Sequence, residues 1–208
     1  MCYTQFNTIT KEDFPMKKLL SLILCLMLLL PVMAAAEAAA PVLPYTLDFG
    51  TFTMNVGAND RYEMAETMTS NQLYAIIYVD YDPNATITNS INVVWTSDDI
   101  GAEINMIGGM EKYAELVMQN AQTMYSSMGI NMTDGVILMT EWADGIGCSV
   151  TSCNMDYSGA GVDLVTPLYQ MQALFCNRED GDYIFTLTAA SMEQLVSMAS
   201  YLDTIQFK

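Results

Sequence analysis

The chain has 208 residues, with 24 acidic against 7 basic side chains, a formal charge of −17 and no histidine. That charge repels nucleic acid and anionic lipid. The missing histidine removes the Ser-His-Asp and Cys-His arrangements, the usual neutral-pH base and the commonest zinc ligand.

At the N-terminal end, Lys17 and Lys18 precede an apolar run over residues 19–30, and Pro31 leads into small residues up to Ala36. This is the layout of a cleaved secretory signal over 16–36, and an uncleaved one would anchor the protein instead. The apolar core is shorter than the roughly 20 residues of a membrane span, so no span is expected after cleavage. Lys11-Glu-Asp back-translates to a sequence containing a bacterial ribosome-binding site at about the right distance from Met16. Met16 is therefore the expected start, and residues 1–15 a mis-assigned extension. Residues 37–44 read as a short linker and 45–208 as a single domain of α+β class, long enough for a substantial core. From Glu37 onward 22 acidic and 4 basic residues remain, scattered between apolar periods as in a folded chain and unlike an acidic tail.

Residues 45–56 alternate apolar and polar on each side of Gly50, where the phase slips, which predicts a strand with a bulge or tight bend. Residues 72–80 and 90–96 are β-branched and aromatic, separated by Asp82-Pro83-Asn84 turn chemistry. Apolar residues then recur at three and four from Met110 to Met128, before Gly129, and predict an amphipathic helix of about 18 to 20 residues. Four strand-like runs follow, over 135–143, 147–155, 165–176 and 183–189, with Asp144-Gly145 and Asp180-Gly181 as hairpin turns. Ser191 and Gln194 form a capping box for a last helix lined by Met192, Leu195, Val196, Ala199, Leu202 and Ile205. Seven or so strands joined by hairpins, with two principal helices, predict a mainly antiparallel sheet with at least one face under helix.

Residues 181–208, GDYIFTLTAASMEQLVSMASYLDTIQFK, run from a Gly-acidic turn through an aromatic strand and a Ser-capped helix to a closing I-x-F strand. This resembles the C-terminal end of PsbP-like domains, and LDFGTFTMNV, residues 47–56, resembles their first hairpin. The proline that often follows the first strand is absent; Val56-Gly57 stands there. The resemblance spans about 45–208 and implies an α/β/α sandwich around an antiparallel sheet, as in many bacterial exported proteins. It implies a non-catalytic binding or assembly module whose partner is an envelope protein or ligand left open, with no cofactor and no catalytic residue to carry over.

Several constellations have chemistry to weigh. Asp80-x-Asp82-x-Asn84-x-Thr86 alternates oxygen ligands as a calcium loop does, but Ala85 stands where the glycine turn is needed and Ile91 where a bidentate glutamate belongs. An ordinary turn is the plainer reading. Past the signal the cysteines are Cys148, Cys153 and Cys176, an odd number with no CxxC. In one strand Cys148 and Cys153 lie about 16 Å apart and point to opposite faces. Two-residue turns would set Cys148 opposite Glu141 and Cys176 opposite Phe185, which makes Cys148 to Cys176 the disulfide to test against buried free thiols. Met106, Met110, Met118, Met124, Met128, Met132 and Met139 gather around the long helix. Thioethers are soft copper ligands, though helical spacing assigns these to core packing. Trp95, Trp142 and the tyrosines could line a carbohydrate or peptide groove, with core packing the plainer account. The alternative to a binding module is a histidine-free hydrolase working through paired carboxylates drawn from Glu141, Asp144, Asp156 and Asp163.

Overall fold

A computed structural model describes residues 41–65, 72–85, 88–176 and 178–208. The expected extension and signal fall outside these residues. Ten strands and three α-helices are present among the described residues: β1 (Tyr45–Asp48), β2 (Phe52–Val56), β3 (Arg61–Ala65), β4 (Gln72–Tyr78), β5 (Ser90–Thr96), α1 (Ile100–Ile107), α2 (Met110–Ser127), β6 (Asn131–Ala143), β7 (Ile146–Asp156), β8 (Val165–Phe175), β9 (Asp182–Ala189), α3 (Met192–Leu202) and β10 (Gln206–Phe207).

Seven strands form one sheet in the order β3-β4-β5-β9-β8-β7-β6, antiparallel at every pairing. The remaining three form a small sheet, β1-β2-β10. The class is therefore α+β, as the hairpin-linked strands predicted. The phase slip at Gly50 is a tight bend: its φ of 89° lets β1 fold back on β2, with Asp48 Oδ1 accepting the Gly50 N–H at 2.8 Å.

Strand alternation divides the large sheet into two unlike faces. One carries Ile77, Ile91, Val93, Phe185, Leu187, Met171, Ala173, Cys148 and Val150, all essentially buried. The small sheet packs there through Phe52, whose ring centroid is 5.5 Å from Phe185 and 5.6 Å from Tyr183; Phe207 of β10 approaches Tyr183 at 5.1 Å and Phe175 at 5.3 Å. Helix α3 covers the same face with Leu195, Met198, Ala199 and Leu202, and starts at a Ser191 cap that accepts the Gln194 N–H. Asp60 ties this layer together: its carboxylate accepts from Gly57 N–H at 2.6 Å, Asp80 N–H at 2.9 Å and the Tyr201 hydroxyl at 3.0 Å.

The opposite face carries Leu174, Ile184, Gly147 and Trp142 at one end, against Ile104 of α1 and Met110 of α2, and Met155 and Leu168 at the other, against Ala121 and Tyr125 of α2. Between them runs a polar row, Asn92, Thr186, Gln172, Ser149 and Thr140, in register across five strands. Helices thus lie on both sides of the sheet.

Two elements were missed by periodicity. Strand β3 is a short charged edge in which Arg61 and Glu63 pair at 3.5 Å, the composition by which edges resist further pairing. Helix α1 has Gly101 in its first turn, which reads as a break; Asp99 nevertheless caps it, accepting the Ala102 N–H at 2.7 Å, and Gly108 ends it at φ 103°.

Candidate partner-binding cleft

Helix α2 lies along β6, the outermost strand of the large sheet, and between them opens a cleft of about 750 Å³. Glu115, Met118, Gln119 and Gln122 form the helical wall, and residues 131–137 form the other. The helix arises where expected, 18 residues from Met110, burying Met110 and Ala114 but leaving Met124 48% exposed, with Gly129 beyond its end at φ 77°. β6 is less regular. One extra residue enters between Thr133 and Val136 and another between Ile137 and Met139, the first with Asp134 at φ 54°. Each bulge bends the strand and spoils its outer edge for pairing with a second sheet.

The bulges turn apolar side chains outward: Val136 is 50% exposed and Leu138 45% exposed. Leu116 on α2 is 44% exposed. The two carboxylates of the cleft are engaged with neighbours. Lys112 Nζ donates to Glu115 at 2.6 Å, and Asp134 accepts from Asn154 Nδ2 at 2.9 Å. The walls are therefore acidic and amide-bearing, with an apolar margin.

The sequence-derived candidates distribute elsewhere. Glu141 and Asp144 sit at one end of β7 and Asp156 at the other, separated by the about 33 Å of an 11-residue strand, with Asp163 in the loop beyond Asp156. That span excludes a catalytic pair drawn one from each end, and leaves Glu141 with Asp144 at one end and Asp156 with Asp163 at the other. Asp156 instead accepts the Ser158 N–H at 2.9 Å, a bond that holds its carboxyl below the usual range, just ahead of a short 3-10 turn at Ser158–Ala160.

Asp80 and Asp82 do share a surface recess of about 260 Å³, with Gln194, Ser197 and Met198 of the α3 side. Asp82 Oδ1, however, already accepts from Asn84 N–H at 2.8 Å and Nδ2 at 3.1 Å, the Asx geometry of a turn, and Thr86 lies outside the described residues. Among the described residues no three His, Cys, Asp or Glu side chains are grouped to hold a metal ion.

Cys148 stands opposite Glu141, as the Asp144-Gly145 hairpin predicted; both turn residues take positive φ, 54° and 79°. The register expected for Cys176 is corrected. Phe185 opposes Ala173, because at Asp180-Gly181 only the glycine has positive φ and no two-residue turn forms. Asp180 is an anchor there: its carbonyl accepts from Trp95 Nε1 at 2.7 Å, and its carboxylate from Tyr183 at 2.6 Å and Arg178 at 3.0 Å. Cys148 consequently points to the aromatic face while Cys176 packs with Leu174 and Met110 on the other, and all three cysteines are free thiols. The disulfide expected between Cys148 and Cys176 is not formed, since the sheet lies between them. Burial, with Glu141 adding to it, pushes the Cys148 thiol up to about 12, and burial also raises Cys153 and Cys176. None of the three is a ready thiolate nucleophile at neutral pH.

The tryptophans do not share a groove. Trp95 is fixed by Asp180, and Trp142 lies against Gly147 and Met110 on the opposite face. The cleft itself had no motif; its only sequence signal was Asp134-Gly135 interrupting a β-branched run.

No protein-family model matches the chain, and no curated protein matches it. Solved structures do. The solution structure of cyanobacterial PsbP from Synechocystis sp. PCC 6803 aligns over 86% of this chain and 99% of its own, at 8% identity and a TM-score of 0.53. The Ran-binding protein Mog1p of Saccharomyces cerevisiae aligns over 78% of this chain and 94% of its own, at 11% identity and a TM-score of 0.42. The chain accordingly has the α+β fold of the cyanobacterial PsbP structure.

Proposed function

We propose that this protein is a non-catalytic binding or assembly module that works outside the cytoplasm and takes its partner in the α2–β6 cleft. The observation that carries the reading is the cleft itself, open, with Val136 half exposed on one wall and the Glu115 and Asp134 carboxylates each held by a residue outside it. A segment that fits it presents apolar side chains flanked by lysine or arginine, because the chain carries −17 overall and Glu115 and Asp134 stand on the two walls. Extracytoplasmic placement is supported by Lys17-Lys18, the apolar run and the small residues before Glu37.

The test is site-specific photocrosslinking in envelope fractions of the source cell. A photoreactive residue at Gln119 should give one discrete adduct, abolished by Val136→Asp, while the same residue at Glu193 on α3 should give none. Equal labelling from both positions, or an adduct indifferent to Val136→Asp, would sink the proposal.

A further inference from the structure

Behind the cleft is a second, much smaller cavity of about 30 Å³, lined by Met118, Met132, Cys153, Tyr125, Leu168 and Gln170 among others. Its volume suits one water-sized species. Met118 and Met132 border both spaces, so two thioether side chains are shared by the cleft and the inner cavity.

Three sulfur side chains, Cys153, Met118 and Met132, line this chamber, and a fourth, Met155, touches Cys153 without lining it. Cys153 and Met155 are two apart on β7 and share a face, with Cys153 Sγ 3.7 Å from Met155 Sδ. Met132 is the register partner of Met155 on β6. Gly135, at the first bulge, leaves the space that the methionine tips occupy: a Cβ there would lie 2.6 Å from the Met118 methyl and 3.8 Å from that of Met132. Two sulfurs 3.7 Å apart, each about 2.3 Å from a common ion, subtend about 107°, close to the angle of a trigonal or tetrahedral thiolate site.

We infer that Cys153, Met155, Met132 and Met118 form a binding site for a soft monovalent cation, Cu(I) or its redox-inert analogue Ag(I). Thiolate and thioether together select soft ions over Zn(II), Mg(II) or Ca(II). Charge selects in the same direction. On binding, the Cys153 S–H bond breaks, its proton leaves to solvent, and the thiolate and thioether sulfurs donate lone pairs to the ion; no electron changes hands. A monovalent ion and one thiolate sum to zero, so the chamber holds no net charge, whereas a divalent ion would leave an uncompensated positive charge beside Leu168 and Met132. This site does not depend on a partner occupying the outer cleft.

The experiment is anaerobic titration of the reduced full chain with Cu(I) against a chromophoric Cu(I) chelator, repeated with Ag(I) while following thermal melting. One equivalent should bind, release about one proton and raise the melting temperature. Cys153→Ser should weaken binding by at least about 100-fold and Met155→Leu by about 10-fold, whereas Cys148→Ser, removing the thiol on the other face, should leave it unchanged. Circular dichroism and apo melting temperatures of the variants separate lost ligands from lost fold. Failure to compete with the chelator, undiminished uptake by a folded Cys153→Ser chain, or equal binding of Zn(II) overturns the site. Because Val136→Asp leaves all four sulfurs in place, metal uptake and partner adducts are scored independently in that variant.

Discussion

The two faces of the large sheet are packed by different chemistry. Beneath α3 and the small sheet the contacts are aromatic and close: Phe49, Phe52, Phe175, Tyr183, Phe185 and Phe207 form one set of stacked and edge-to-face rings. Beneath α2 the contacts are thioethers, a thiol and a row of amides and hydroxyls, and two cavities remain. Rigid rings that interlock fix one arrangement. Unbranched methionines fill irregular space and tolerate rearrangement. The first face holds the protein together, and the second has room to admit something.

The sharpest way to break that contrast is to empty the aromatic face. Phe185→Ala removes a fully buried ring that touches Phe52 and Phe175, and should cost about 3–5 kcal/mol in urea denaturation. A loss below about 1 kcal/mol would mean that the face is not the anchor described above.

Alkaline pH probes both faces at once. Burial raises Cys148 from 9.0 and Tyr113 from 10.0, each to about 12. Because the folded values lie above the unfolded ones, the folded chain holds these protons longer. The associated stability is fully present below about pH 9 and is lost as pH rises toward about 12. Denaturation midpoints should fall across that window by an amount on the order of a few kcal/mol, and Cys148→Ala with Tyr113→Phe should flatten the decline.

The smallest effects compare two glycines. A Cβ on Gly147 would meet the Trp142 ring at 2.7 Å, a neighbour that cannot yield, and Gly147→Ala should cost about 1–3 kcal/mol. At Gly135 the obstacle is the flexible end of Met118, so Gly135→Ala should change stability by less than about 1 kcal/mol. Melting curves of the two variants check the difference, and equal losses would show the methionine side to be as unyielding as the tryptophan side.

The same contrast explains what could be read from the residues. Elements governed by local chemistry were legible: α2 by its period, α3 by the Ser191 cap, and the β6–β7 hairpin by Asp144-Gly145. The closing strand came from the PsbP-like resemblance, since periodicity places Ile205 on α3, which ends at Leu202. The β8–β9 turn was misread because a long-range partner set it. Trp95, 85 residues away in sequence, takes the Asp180 carbonyl and leaves no two-residue turn. The cleft was invisible because it depends on two bulges, whose positions follow from how β6 fits β7 rather than from any motif. The methionines were visible as a group, but only the pairing of Met132 with Met155 and the packing of α2 on the sheet could single out Met132 and Met118 beside Cys153.

Phe207 has a consequence for the order of assembly. It packs against Phe52, Phe175 and Tyr183, and the Lys208 N–H bonds the Thr51 carbonyl at 2.9 Å, joining the first hairpin of the domain to its last residues. A chain emerging from a ribosome or a membrane pore N-terminus first cannot close this ring of aromatics until residue 207 is through. Until then β2 lacks its second neighbour and the aromatic face is unsealed, so the small sheet closes after the large one is already made.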